Sequence, residues 1–239
     1  MLLLFLASIS VQANEDWRGL ARRLSGEAKH VRVEMVEALK KTPNLDDHLR
    51  AAFLGPDRFL AFDVLSALEK RDFLSEVIQL IPEDPSGFAV HAANSLARPD
   101  DRMKLIETYR KHLADPRPSA PARMALFDTL GRLGALLSDK DCAAGLEHES
   151  PEVRASALGY LRHSILRLGR KDWIDRLAPA LQEQQPWQVR VQAIFLLSEI
   201  TPKERRSLIR KHFPAACSGL PEGEPALLCK KFTRMETGR

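Results

Sequence analysis

The sequence predicts an all-α protein, an α-solenoid of about six helical hairpins, and three observations predict it. Leu and Ala dominate the apolar residues and aromatic residues make up only 6% of the 239, a bias toward helix over sheet. Apolar residues recur at i, i+4 and i+8 in six places, a spacing that keeps them on one helical face. Five prolines, Pro56, Pro85, Pro121, Pro151 and Pro186, stand just ahead of these stripes, where a helix start tolerates a missing N–H.

Residues 1–13, MLLLFLASISVQA, read as a signal peptide. An apolar run from Leu2 to Ile9 is followed by Val11 and Ala13 at the −3 and −1 positions of a cleavage site, and the run is too short to span a bilayer. The mature chain is then expected to be periplasmic or secreted. No Lys or Arg precedes the run, so the other readings are a first helix packed on the end of the array in a cytoplasmic protein, or a reading frame begun too late. No later segment reaches membrane-spanning length.

Residues 14–213 hold the hairpins. Trp17, Leu20 and Leu24 with Arg18, Arg22 and Arg23 form an amphipathic opening helix that covers the first repeat. The stripes are Val31-Met35-Leu39, Leu60-Val64-Leu68, Phe88-Ala92-Leu96, Ala122-Leu126-Leu130, Val153-Ala157-Leu161 and Val189-Ala193-Leu197. Their starts lie 28 to 36 residues apart, room for two short helices and their turns. Partner helices are expected around 45–54, 72–80, 101–114, 139–147, 171–184 and 203–213. Asp84 and Ser150 are candidate N-caps, Ser138 with Asp141 and Thr201-Pro202-Lys203-Glu204 are candidate capping boxes, and Gly131-Arg132-Leu133-Gly134 reads as a helix ending.

The segment Pro151-Glu152-Val153-Arg154-Ala155-Ser156-Ala157-Leu158-Gly159-Tyr160-Leu161 and its near twin at 186–197 resemble the HEAT repeat family, the short bacterial type especially. The resemblance covers nearly all of residues 20–213, although Ala61 and Ala89 replace the repeat arginine in two early copies. It implies a right-handed superhelix of antiparallel helix pairs with the stripe-bearing helices on the concave side. It implies no particular function. In that family the repeat arginines, Arg32, Arg123, Arg154 and Arg190 in this chain, generally tie neighbouring repeats together. The other reading of these four is a basic ladder for phosphates or carboxylates.

Residues 214–239 read as a capping loop and basic tail. Pro214, Gly219, Pro221, Gly223 and Pro225 make the chain irregular. Cys217 and Cys229 enclose this loop and suit a disulfide, which requires an oxidising compartment. In a cytosolic protein all three cysteines would be reduced thiols. Cys142, early in a partner helix, reads as a packed thiol.

The pI of about 9.0 and a net charge of +4 permit an anionic partner without requiring one. The charge is lopsided. Residues 1–149 carry 20 Lys/Arg against 23 Asp/Glu, and residues 150–239 carry 16 against 9. A protein partner, acidic in character, is therefore expected along the last repeats, with Arg162, Arg167, Arg170, Arg205, Arg206 and Arg210 as candidate contacts.

No His-Glu-x-x-His pair, zinc-spaced Cys pair, nucleophile elbow, phosphate loop or dinucleotide fingerprint occurs in the sequence. The expectation is a non-catalytic scaffold or adaptor with no cofactor and no metal. The alternative is a cytoplasmic DNA-binding protein, similar to the HEAT-like alkylpurine DNA glycosylases. Asp172, Trp173, Asp175 and Trp187 would then hold a cationic base.

Overall fold

The computed structural model describes residues 17–26, 29–53, 55–168, 177–198 and 214–237. Every regular element among them is helical. The chain runs through α1 (Trp17–Gly26), α2 (Lys29–Lys40), α3 (Leu45–Phe53), α4 (Arg58–Ala67), α5 (Leu74–Gln79) and α6 (Phe88–Leu96). It continues through α7 (Arg102–Ala114), α8 (Ala120–Arg132), α9 (Asp139–Leu146), α10 (Pro151–Leu168), α11 (Leu177–Ala180), α12 (Trp187–Ser198) and α13 (Glu224–Thr237).

The helices that carry the stripes pack on one another in chain order: α4 on α6, α6 on α8, α8 on α10 and α10 on α12. Each receives the helix before it, so α3 lies on α4, α5 on α6, α7 on α8, α9 on α10 and α11 on α12. The stripe residues are the reason. Met35, Leu39, Val64, Ala92, Leu96, Leu126, Leu130, Val153, Ala157, Leu161, Val189, Ala193 and Leu197 are all buried. They belong to one apolar core that runs from Trp17 to Cys229. Burying each larger aliphatic side chain is worth about 1.5–3 kcal/mol before chain entropy is counted.

Local chemistry starts and stops these helices. Ser119 takes the N-cap of α8, accepting from the Ala122 amide at 3.3 Å. Ser138 caps α9, accepting from the Asp141 amide at 3.1 Å while its hydroxyl meets the Asp141 carboxylate at 2.6 Å. Ser150 accepts from the Val153 amide at 3.3 Å as α10 begins. After α8, Gly134 turns with φ 64 and the Ala135 amide bonds back to the Leu130 carbonyl at 2.9 Å, a left-handed helix ending. The capping box expected at 201–204 lies outside the described residues.

Asp84 acts at longer range than an ordinary cap. Gly87 with φ 72 occupies the N-cap position of α6, and the Asp84 carboxylate reaches over it to accept the Ala89 amide at 2.7 Å. The same carboxylate accepts the Ser86 amide and hydroxyl at 2.9 and 2.6 Å. The Asp84 carbonyl in turn accepts the Ser119 hydroxyl at 2.9 Å. This knot joins the start of α6 to the start of α8. Gly87 is required there twice over: its φ is positive, and a Cβ would stand 2.6 Å from the Pro121 carbonyl oxygen.

Two boundaries differ from the sequence expectation. The helix expected over 72–80 divides into a 3-10 turn at Arg71–Phe73 and α5. The segment expected as a basic tail is helical, because Gly223 with φ 102 turns the chain and Pro225 falls in the first turn of α13, where it costs no hydrogen bond. Of the partner helix expected over 171–184, residues 177–184 are described: Leu177–Ala180 form α11, and 181–184 are turn instead of helix.

Candidate functional site

A cleft opens between the α9/α10 and α11/α12 pairs and has a volume of about 370 Å³. Small residues make it. Ala143 of α9 with Pro179 and Ala180 of α11 face a space that larger side chains would fill, over a floor of Leu158 and Val189. Glu147, Arg154 and Gln185 supply its polar edges. This size lies at the small end of ligand clefts and suits one apolar side chain or a short peptide turn.

Arg154 is fixed in place. Its Nη1 donates to the carbonyls of His148 at 2.7 Å and Glu149 at 2.8 Å, the groups left over where α9 has ended. Its Nε is buried without a hydrogen-bond partner. Beside it, His148 Nδ1 accepts the Ser150 amide at 3.0 Å. Burial pushes the His148 pKa down, and the positive charges of Arg123 and Arg154 add to this. His148 is therefore held neutral, as its accepting nitrogen requires.

The other repeat arginines fall into two kinds. Arg123 donates to the carbonyls of Pro118, Leu113 and Asp115, which close the end of α7. Arg190 reaches forward, not back: its Nη1 donates to the carbonyls of Ala215 and Ala216, both at 3.2 Å, and of Ser218. It is 5% exposed. Arg32 is exposed and lines a second, wider cleft of about 750 Å³ between α1, α2 and α4, with Leu24, Val33, Val36 and Phe62.

Of the basic candidates on the last repeats, Arg162 is exposed on α10. Arg167 lies on the last turn of α10 with its side chain outside the described residues, and Arg170, Arg205, Arg206 and Arg210 fall wholly outside them. So do Asp172, Trp173 and Asp175, while Trp187 is 40% exposed at the start of α12. Cys217 and Cys229 are joined by a disulfide with Cα atoms 6.0 Å apart, and Cys142 is buried and outside any disulfide.

The cleft residues Ala143, Leu146, Pro179 and Ala180 were not singled out by sequence. Their one trace is the small-residue pairing of Ala143-Ala144 with Ala178-Pro179-Ala180 in successive partner helices. Among the described residues no group of His, Cys, Asp or Glu could hold a metal ion, and no helix is long and apolar enough to cross a membrane. No family model matches the chain, and neither the curated proteins nor the solved structures include a match to it.

Proposed function

We propose that the chain is an exported HEAT-like α-solenoid, a right-handed superhelix whose role is to hold a segment of a partner protein without catalysing a reaction. The observation that carries this reading is the packing order: each stripe helix lies on the next, and each carries one partner helix. That is how a repeat array buries its apolar faces. Export after cleavage at Ala13 is supported by the Cys217–Cys229 disulfide, a bond that persists in oxidising compartments.

The partner segment is acidic and is steered by the basic excess of residues 150–239. It anchors one apolar side chain in the cleft over Leu158 and Val189. Arg162, Arg167, Arg170, Arg205, Arg206 and Arg210 supply screened, longer-range attraction. The experiment is isolation of the native protein from fractionated source cells, followed by mass spectrometry of the chain and of whatever co-purifies. The expected result is a chain beginning at Asn14 in the exported fraction. Its partner should be released when salt is raised to about 0.5 M, where screening falls to a few ångströms. The Ala143→Trp variant should fail to retain that partner. A cytoplasmic chain with Met1 intact, or retention of duplex DNA in place of a protein, defeats the proposal.

A further inference from the structure

We infer that Cys217 and Cys229 form a redox-operated latch: a dithiol opens their disulfide and frees α13 from α12, while the segment 214–218 ahead of it stays docked. The inference goes beyond the binding role and does not depend on it.

The two sides of the disulfide are held very differently. On the Cys217 side, Arg190 grips the carbonyls of Ala215, Ala216 and Ser218. The Ser218 hydroxyl donates to Glu183 Oε1 at 2.8 Å, and Ala216 is fully buried. None of these bonds involves α13. On the other side, Cys229 is the one buried side chain among those described on α13. Leu227 is 62% exposed, Lys230 and Lys231 are exposed, and Pro225, Ala226 and Leu228 are half-buried. Among the described side chains of α13 only Leu228 and Cys229 meet the apolar core, so over residues 224–231 the covalent bond is the chief tether.

A hinge lies between the two sides. Gly219 and Gly223 have φ 58 and 102, and a Cβ at either would meet nothing within 4 Å. These positions turn the chain without being packed, so α13 swings about 219–223 when its tether is cut. Cys217 is half-buried and Cys229 is 7% exposed, which makes the Cys217 sulfur the accessible one. A thiolate of the dithiol attacks Cys217 Sγ and forms a mixed disulfide, and the electron pair of the broken bond leaves on Cys229 Sγ, which takes a proton. The second thiol of the reductant then attacks its own sulfur in the mixed disulfide and releases Cys217 as a thiolate, which is protonated. The protein gains two electrons and two protons, and the dithiol ends as its disulfide.

The test uses the full chain under native conditions, with and without dithiothreitol, read by tryptic cleavage after Lys230 and Lys231 and by amide hydrogen exchange. Reduction should speed both cleavages at least about tenfold, since a helix must open locally before a protease can act. Exchange in α8, α10 and α12 should stay unchanged. The Cys217→Ser/Cys229→Ser double variant should cleave at the reduced rate with no reductant present. Equal cleavage rates before and after reduction overturn the latch, because packing would then hold α13 unaided. Exchange rising through α10 and α12 on reduction overturns it too, because the bond would then support the whole fold. A disulfide that resists dithiothreitol until the protein is denatured also overturns it.

Discussion

The Tyr160 phenol oxygen accepts the Leu137 amide hydrogen at 2.7 Å, and the same hydroxyl donates to the Ala135 carbonyl at 2.9 Å. Tyr160 belongs to α10 and is 1% exposed, while Ala135 and Leu137 lie in the turn that leads from α8 to α9. One side chain thus satisfies a buried donor and a buried acceptor of a turn, and locks that turn to the helix that follows. Tyr160→Phe keeps the ring and strands both backbone groups. It should lower unfolding free energy by about 2–3 kcal/mol, measured by urea denaturation. A loss below about 0.5 kcal/mol, the range of neutral surface changes, would mean that water or a shifted turn satisfies the pair.

Gly145 sits on α9 where that helix meets α8 and α10. A Cβ there would stand 2.3 Å from Phe127 Cζ and 2.9 Å from Ala157 Cβ. Helix propensity alone favours Ala over Gly by about 1 kcal/mol, and the steric conflict opposes it by about 1–3 kcal/mol. Because the neighbours are a ring and a methyl group buried in the core, Gly145→Ala should destabilise. Phe127→Leu should partly rescue it, giving a favourable coupling in a double-mutant cycle. A Gly145→Ala protein more stable than wild type would show that α9 can move outward.

Arg190 should be the costliest of the repeat arginines to remove. Its guanidinium fills a buried site and donates to the carbonyls of Ala215, Ala216 and Ser218, which lie ahead of α13. Arg190→Met, which keeps the aliphatic stem, should cost about 2–3 kcal/mol through the stranded carbonyls. Arg32→Met, at an exposed position, should change stability by no more than about 0.5 kcal/mol. Thermal or urea unfolding of the two variants side by side decides it, and equal effects would remove the distinction.

The stripes were legible in the sequence because period and burial are the same fact: a helix packed on two neighbours must repeat apolar residues at i and i+4. The serine caps were only partly legible. Ser138 and Ser150 were found because each sits beside its helix, but Ser119 stood behind Pro121 and went unmarked. The reach of Asp84 to Ala89 depends on the left-handed turn at Gly87, which no local pattern announces. The helix after Gly223 was masked by its own prolines and glycines. The cleft was illegible for a different reason. It is defined by what Ala143 and Ala180 lack, and an absence acquires meaning only when two partner helices are set beside each other.

His148 gives the fold a specific pH response. Burial and the charges of Arg123 and Arg154 push its pKa below the ordinary 6.5, and its Nδ1 must stay unprotonated to accept the Ser150 amide. The unfolded chain therefore binds a proton at a higher pH than the folded one. Stability from this group is complete above 6.5 and declines as pH falls below it, until the folded His148 is itself protonated. His112 on α7, also pushed down by burial, adds to the same slope. Asp115 acts in a separate window: its hydrogen bonds from Arg117 hold its pKa at about 2, below the ordinary 3.8, so its contribution is lost only in stronger acid. The melting temperature should therefore fall as pH is lowered from neutrality through the histidine range, and His148→Asn should flatten that fall. A wild-type melting temperature that stays constant across that interval, or a variant slope equal to wild type, would remove His148 from the account.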